Sequence, residues 1–564
     1  MSLFGTIQIA SNSLNAAQLG LQVTGNNIAN ANTPDYIRQR LIEQPAVTAR
    51  QGDLLLGLGV QVTGVQQVID KFLDERARGA ASDVASSGAQ AGVYTQLESA
   101  INELGDQDLS TQLTGFFGSL QDVLNQPDSV AARNVAVQKG QSLTDAIQRL
   151  DGQVRSIHNT VNQEIVGTAS DINNLLTDVA KLNLQIVQLE GGGTSGSDAV
   201  GLRDRRADDL NQLAQITDIK VLEQPTGDVT VYSGGDYLVS LGTARTVGVV
   251  TEEQNGLQVS HLVVNETHAS LSAGSGSLGG LTTARDNILQ GFISGLNDVS
   301  KSLINDFNKV YSGGQGLTGF SQTTSDRSVT SGTVPLDTAG LPFPLTSGTF
   351  QIQTSNKQSS QTNTTDIHID LAGLDTDTTL QSLATQIDAI NGISATVTNS
   401  GQLQITSDSP DVTFAFSGDN SGALAALGIN TFFSGTGSQD IGVSQLVKDD
   451  PGKMTFSSGG VGVDSTNGAL LANFLNAPAA DGGASLSDSY QHLVGNVALA
   501  SQSASAASDG FQSFQQSLDG QRQAISGVNI DEEAVRMIEY QRTYQASAKV
   551  ISTINDMIQT LLNL

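Results

Sequence analysis

A chain of 564 residues is longer than one hydrophobic core organises and predicts roughly three or four domains. With 27 Lys and Arg against 56 Asp and Glu, the net charge of -29 argues against nucleic acid and against anionic membrane, since both need a basic surface. The absence of cysteine excludes disulfides, thiolate metal sites and a cysteine nucleophile, while 60 Gly, no Trp and 4% aromatic residues predict many turns and thin β-layers rather than a deep aromatic pocket.

The first 34 residues carry no charged side chain, and Leu3, Ile7, Ala10, Leu14, Ala17, Leu21, Thr24 and Ile28 recur at alternating steps of four and three, the spacing of a helical seam. No run of 18 apolar residues occurs, and the start Met1-Ser2-Leu3-Phe4-Gly5 lacks a basic segment followed by a compact apolar one. Neither a membrane span nor the ordinary secretory route is expected. The helix should stop near Asn32-Thr33-Pro34, because the residue before proline is pushed out of the helical region. Short extended stretches, Tyr36 to Ile42 and Val60 to Val65, then alternate with turns at Gly52, Gly57, Gly59 and Gly64, predicting a β-rich spur. A helix is expected from about Gln67 to Leu104. A longer one should begin after Pro127-Asp128-Ser129 and end at Gly191-Gly192-Gly193. Its seam is Leu143, Ile147, Leu150, Val154, Ile157, Val161, Glu164, Thr168, Ile172, Leu175, Val179, Leu182, Ile186 and Leu189, a stretch about 70 Å long.

Residues 217 to 270 alternate in short runs around Thr226-Gly227-Asp228 and Gly234-Gly235 and predict a small β subdomain. A helix from Thr282 to Tyr311 follows. From 313 to 450 the chain is rich in Thr, Ser and Gly, with strand signals and one helix near Leu380 to Ile390, which predicts a separate β-rich outer domain. A second long helix carries Tyr490, Leu493, Val497, Ala500, Ala504, Ala507, Phe511, Phe514 and Leu518. After Gly527, Asp531-Glu532-Glu533 place acid in the first turn of a terminal helix, where the dipole favours it. That helix has its own seam of Met537, Tyr540, Tyr544, Ser547, Ile551, Ile554, Ile558 and Leu561.

The expected fold is therefore α+β and multidomain: an elongated rod with a terminal helical coiled-coil domain and spur (1–66 and 528–564), a long-helix bundle (67–312 and 451–527) and a β-rich outer domain (313–450).

No chemistry assembles from these residues. Asp366, His368 and Asp370 share a strand face, but a solvated face explains them better than a metal site. Asp375, Asp377 and Thr379 resemble the start of a calcium loop, yet Leu380 stands where the loop needs Gly, so helix capping is the better account. His158, His261, His268 and His492 sit singly, with His261 and His268 read as opposite faces of a strand. Arg203, Asp204, Arg205, Arg206, Asp208 and Asp209 read as a salt-bridged helix surface. No nucleophile, base and orienting group can be named together, and no catalytic residue, metal or cofactor is expected.

The terminal seams also fit an ordinary intramolecular coiled coil. What exceeds that reading is breadth, since Phe4, Ile9 and Leu19 lie off one seam and Ile538, Ala548, Val550 and Leu562 off the other. One partner helix cannot cover all of them. Leu3, Ile7, Leu14, Leu21, Ile28, Met537, Tyr540, Tyr544, Ile551, Ile554, Ile558 and Leu561 are accordingly read as an assembly interface, open in the lone molecule and filled by neighbours.

Ser13-Leu14-Asn15-Ala16-Ala17-Gln18 and Val23-Thr24-Gly25-Asn26-Asn27-Ile28-Ala29-Asn30-Ala31-Asn32-Thr33-Pro34 resemble the N-terminal signature of the bacterial flagellar rod, hook and hook-associated axial proteins. Within that family, Gly527 to Glu533 with Tyr540-Gln541-Arg542 and Tyr544 to Ile551 are similar to the hook-associated protein 1 branch. Ala131-Ala132-Arg133, Gly279-Gly280-Leu281, Ala284-Arg285-Asp286, Ser421-Gly422 and the run Leu424 to Phe433 agree with it. Asp35 departs from the family, which usually has Gly there. The resemblance implies a structural adaptor joining hook to filament, exported without a cleaved signal through the flagellar type III channel and residing outside the cell. It implies as partners copies of itself in a helical ring, the hook protein, a second junction protein and a cytoplasmic export chaperone on the C-terminal helix. A hook, rod or filament subunit shares the terminal helices, and a secreted β-rich adhesin would instead place function in residues 313 to 450.

Overall fold

The computed structural model describes residues 3–33, 36–51, 54–102, 108–193, 196–271, 274–373, 377–478 and 483–563. They group into two units, Met1–Val93 with Asn159–Asp286 and Ser501–Leu564, and Tyr94–His158 with Asn287–Ala500. The architecture is α+β: long helices Lys71–Ile101, Val130–Leu189 and Leu486–Ser526 combined with several small antiparallel sheets.

In the first unit, the terminal helices Leu3–Ala29 and Ile530–Leu562 pack on one another, and the N-terminal one also rests on a β arm. The arm pairs Gln39–Pro45 with Val60–Gln67 and carries a smaller hairpin, Thr48–Gln51 with Leu54–Gly57. Gly57 and Gly64 lie in strands rather than turns; Gly59, with φ +86, lies between strands, and Gly52 lies outside the described residues. The pairing steps from Ile42↔Gly64 to Glu43↔Val62, so Thr63 is a bulge. Beside it the main chain at Gly64 meets the main chain at Gly196, leaving no room for a side chain on either residue. Asp198 N–H donates to Val65 C=O at 2.9 Å and Val65 N–H to the Ser197 hydroxyl at 3.1 Å, which fastens the crossing.

A four-stranded antiparallel sheet (Lys220–Glu223, Val229–Ser233, Asp236–Ser240, Thr243–Ala244) and the hairpin Val247–Gln254 with Leu257–Val264 complete the β part of this unit. Side-chain amides of the long helix hold both. Asn183 donates to the carbonyls of Val229 and Leu241, Asn162 to the Ser260 hydroxyl, and Asn173 to Val247 C=O. Arg285, fully buried, donates to Asn162 Oδ1, Ser260 C=O and both oxygens of Asp286. It sits in a π-helical turn, Ala284–Leu289, within a helical run from Gly276 to Ser312 that starts six residues before the expected Thr282.

The long helix itself spans Val130–Leu189, close to the expected ends. Its buried face follows the predicted seam through Leu143, Ile147, Leu150, Val154 and Val161, with Ile157 half-buried, and then runs through Ile165, Ala169, Ile172, Leu176, Val179, Asn183 and Ile186. Glu164 and Thr168, the two polar members of the predicted seam, leave it, because burying an unpaired carboxylate is costly while Ile165 and Ala169 bury without penalty.

The charge cluster on Val200–Ile216 is more deeply set than a salt-bridged surface. Arg203 makes two hydrogen bonds to Glu190, at 2.6 and 2.8 Å, and a third to Glu223, which also pairs with Lys71. Arg206 is buried and donates to Asn183 Oδ1 and Gly227 C=O. Arg206 can be interior, and Arg203 half-buried, because each finds fixed acceptors. Burial, resisted by a bond from Gln67, pushes the Asp204 carboxyl up to about 6; burial with Asp178 and Asp208 nearby does the same for Asp209. An acid whose folded pKa is raised binds protons more readily folded than unfolded, so its share of stability grows as pH falls through 6 toward 4. Glu190 opposes this at lower pH: burial would raise it, but Arg203 and the Ala199 N–H hold it below the ordinary carboxylate range. Thermal unfolding should therefore show greater stability near pH 5 than at pH 7.5. The Asp204→Asn, Asp209→Asn chain should melt a few degrees higher than the parent at pH 7.5 and converge with it near pH 4.5, with roughly 2–4 °C per kcal/mol as the scale.

In the second unit, helix Leu109–Asn125, which the sequence reading passes over, is capped by Asp108 and buries Leu113, Phe116, Phe117, Leu120 and Val123. Phe116, Phe117, Phe307, Tyr311, Phe432, Phe433 and Phe474 form one network with ring centroids 4.9 to 6.3 Å apart, which concentrates much of a scarce aromatic supply. The β-rich segment has its own core, Phe350, Ile352, Ile367, Leu383, Ile387, Ile405, Phe414 and Phe416 among others, between two three-stranded antiparallel sheets and the helix Leu380–Asp388.

Candidate assembly interface

The two terminal helices run antiparallel in a fixed heptad register. Glu533 meets Asn27, Tyr540 meets Gly20 and Ser547 meets Ser13, each step of seven down one helix matching seven up the other. The seam on the N-terminal helix is thus Ala10, Ser13, Ala17, Gly20, Thr24 and Asn27, with Ala10, Ala17, Gly20, Thr24 and Asn27 buried. Gly20 is required by contact, since a Cβ there would stand 2.5 Å from the Tyr540 ring. Small residues let the helix axes come close, and the aliphatic side chains turn to the flanks.

Leu3, Ile7, Leu14, Leu21 and Ile28 are consequently half-buried rather than central. On the C-terminal helix Met537, Tyr540, Ile551 and Ile558 are half-buried and Ile554 is buried, whereas Tyr544 and Leu561 are exposed. Outside this seam lies a broad uncovered surface. Phe4 is 80% and Leu562 79% exposed, and Leu19, Val535, Ile538, Val550, Met557 and Leu561 join them. The termini are therefore paired with each other along one narrow line, which differs from two wholly open ends, yet most of their remaining apolar area faces outward.

A buried polar lock closes the seam at its base. Asn27, 0% exposed, donates to Gln39 C=O and Glu533 Oε2, both at 2.9 Å, and accepts from Gln39 N–H and the Tyr36 hydroxyl at 3.0 Å. Arg38 Nε lies 3.3 Å from Glu533 Oε1, and its Nη1 donates to Glu532 at 3.1 Å. Burial, with the Asp204 and Glu533 carboxylates nearby, pushes the Tyr36 hydroxyl to about 12, which keeps it a donor at every physiological pH. Asn529 caps the terminal helix by accepting from the N–H groups of Asp531 and Glu532. Hydrophobic spacing does not reveal this lock. The available signal is a polar pair, Asn26-Asn27, on an otherwise regular helix face.

The other sequence candidates belong to other elements. Asp366, His368 and Asp370 are exposed beside buried Ile367 and Ile369, and Asp366 accepts from Gln351. Among the described residues no group of His, Asp and Glu side chains is placed to hold a metal ion. Thr379 forms a capping box with Ser382, as the capping reading expects; Asp375 and the divergent Asp35 lie outside the described residues. His268 is not on a strand face at all: it occupies a left-handed turn, φ 58, after the strand that carries His261.

Residues 94–326 match the family model of the flagellar hook-associated protein FlgK helical domain. Residues 521–564 match that of the flagellar basal body rod FlgEFG protein C-terminal region, and 7–36 that of the flagella basal body rod protein. Flagellar hook-associated protein 1 of Salmonella typhimurium is 28% identical over 574 aligned residues, covering 99% of this chain and 99% of that protein. The Bacillus subtilis protein of the same name is 25% identical, covering 100% and 98%. A solved flagellar hook junction protein FlgK from Burkholderia pseudomallei aligns with 80% of this chain at 15% identity and a TM-score of 0.49. The chain is thus similar from end to end to proteins that share the name flagellar hook-associated protein 1, and its middle matches the helical-domain model of that family.

Proposed function

We infer that this chain is a structural adaptor subunit of the bacterial flagellum at the junction of hook and filament, and that it assembles through its terminal helices. The observation that carries the reading is the outward apolar surface of the helix pair, from Phe4 and Leu19 to Val550, Met557, Leu561 and Leu562, on a chain otherwise strongly acidic. Such a surface in water favours burial against further helices at about 25 cal/mol per Å² covered. The rod-protein models match only the two ends, while the hook-associated helical-domain model covers 94–326, which favours a junction subunit over a rod, hook or filament subunit.

On this reading the partners are copies of the chain in a helical ring, the hook protein, the second junction protein and, before export through the type III channel, a cytoplasmic chaperone on the C-terminal helix. The role is mechanical, needs no catalytic group or cofactor, and is exercised outside the cell. Val550 and Met557 are exposed and seven residues apart, so Val550→Asp, Met557→Asp should leave the lone chain folded but place two charges in a packed interface. Cells carrying it should shed filament protein into the medium and fail to swim. Normal swimming with filaments of ordinary number would overturn assembly through this face.

A further inference from the structure

Helices Lys71–Ile101 and Leu486–Ser526 touch within the first unit through Leu73, Ala77, Ala80 and Leu518, a small cluster of buried residues. Immediately outside it, three phenylalanines are left in solvent: Phe72 at 70%, Phe514 at 47% and Phe511 at 39%. The Arg76 guanidinium lies 5.7 Å from the Phe72 ring centre and 6.0 Å from that of Phe514. It is exposed and has no carboxylate partner among the described residues. A cation flanked by rings gains most when a carboxylate closes over it and water is excluded.

The complementary charge occurs on the same chain. Where the long helix departs from its predicted seam, Glu164, Gly167 and Asp171 lie on one exposed face. The two carboxylates are two turns apart, about 10 Å. Nothing approaches within 4 Å of where a Cβ on Gly167 would stand, so the helix surface between them is open and carries no side chain.

We propose that neighbouring copies of this chain join head to tail here, with the Phe72 ring of one copy seated on Gly167 of the next and Arg76 held between Glu164 and Asp171. The occupant is a second copy because both halves of the contact are on one chain. Copies bearing -29 each repel unless specific cations are set against specific acids. Because the two halves are different surfaces, the contact is heterologous and propagates around a ring rather than closing in a pair. The inference rests on the assembly reading above.

The absence of native cysteine makes the test direct. A chain with Phe72→Cys and Gly167→Cys, oxidised in isolated hook-filament assemblies, should run on a non-reducing gel as a ladder of covalent oligomers, whereas the dilute monomer should not. In parallel, Arg76→Glu should lower incorporation roughly tenfold, and adding Asp171→Arg to the same chain should restore it. Assemblies that contain the chain but give no ladder, or a second-site charge that fails to restore incorporation, would overturn this contact while leaving the adaptor reading intact. Cross-links from the thiol introduced by Phe72→Cys to a protein of another mass would overturn the choice of occupant. A parent chain missing from the hook end would instead defeat the adaptor reading itself.

Discussion

Replacing Asn27 by leucine is expected to unfasten the two ends of the chain from each other. Leucine nearly fills the same space, but four hydrogen bonds disappear at a position with no access to water. Gln39 is left with an unpaired N–H and C=O, and the buried Glu533 carboxylate loses a donor at 2.9 Å. Each orphaned group costs about 1–3 kcal/mol, so roughly 3–5 kcal/mol of the pairing should be lost. Hydrogen exchange should show the amides of Ile530–Leu562 opening at least tenfold faster while those of the β-rich core are unchanged. Asn27→Asp should be worse still, because a second carboxylate would face Glu533. Unaltered exchange in the terminal helix of the leucine variant would mean that the lock contributes little.

An equally large effect is expected of Gly64→Ala, for a different reason. The added methyl would coincide with the main chain at Gly196, which cannot rotate away as a side chain does. Either the arm lifts from residues 196–198, losing the bonds from Asp198 N–H and to the Ser197 hydroxyl, or the strand Val60–Gln67 breaks its register at the bulge. A loss on the order of 3–5 kcal/mol is expected, with a drop in melting temperature of roughly 10 °C. Gly25→Ala, with open space at its Cβ position, is the control and should be neutral or slightly stabilising. Equal melting of the two variants would show that the crossing yields more easily than its geometry suggests.

Much of the fold is legible in residue spacing, because spacing reports which face of an element is buried. The ends of Val130–Leu189 and the pairing strands around Gly234-Gly235 follow from period and turn chemistry alone. What is not legible follows a pattern. Spacing draws the seam of the N-terminal helix through Ala10, Ala17 and Thr24, which the structure buries, but also through Leu14, Leu21 and Ile28, where the structure instead packs Ser13, Gly20 and Asn27, which repeat with the same regularity. Apolar scoring favours large side chains, whereas close approach of two axes selects small ones. Gly64 carries no mark distinguishing a turn from a backbone crossing, since its partner Gly196 is far away in sequence. Likewise Arg203 and Arg206 read as surface because their acceptors, Glu190, Asn183 and Gly227, come from other elements. The aromatic network of Phe116, Phe307 and Phe433 is long-range in the same sense.

At Gly64 and Gly196 the two main chains touch with no side chain between them, and the 196–198 segment leads directly into the helix Val200–Ile216. Side-chain contacts deform by rotamer hops; a peptide-on-peptide weld has no such compliance. A torque applied to the arm is thus handed to that helix without slack, a property suited to a coupling that must rotate as a solid piece.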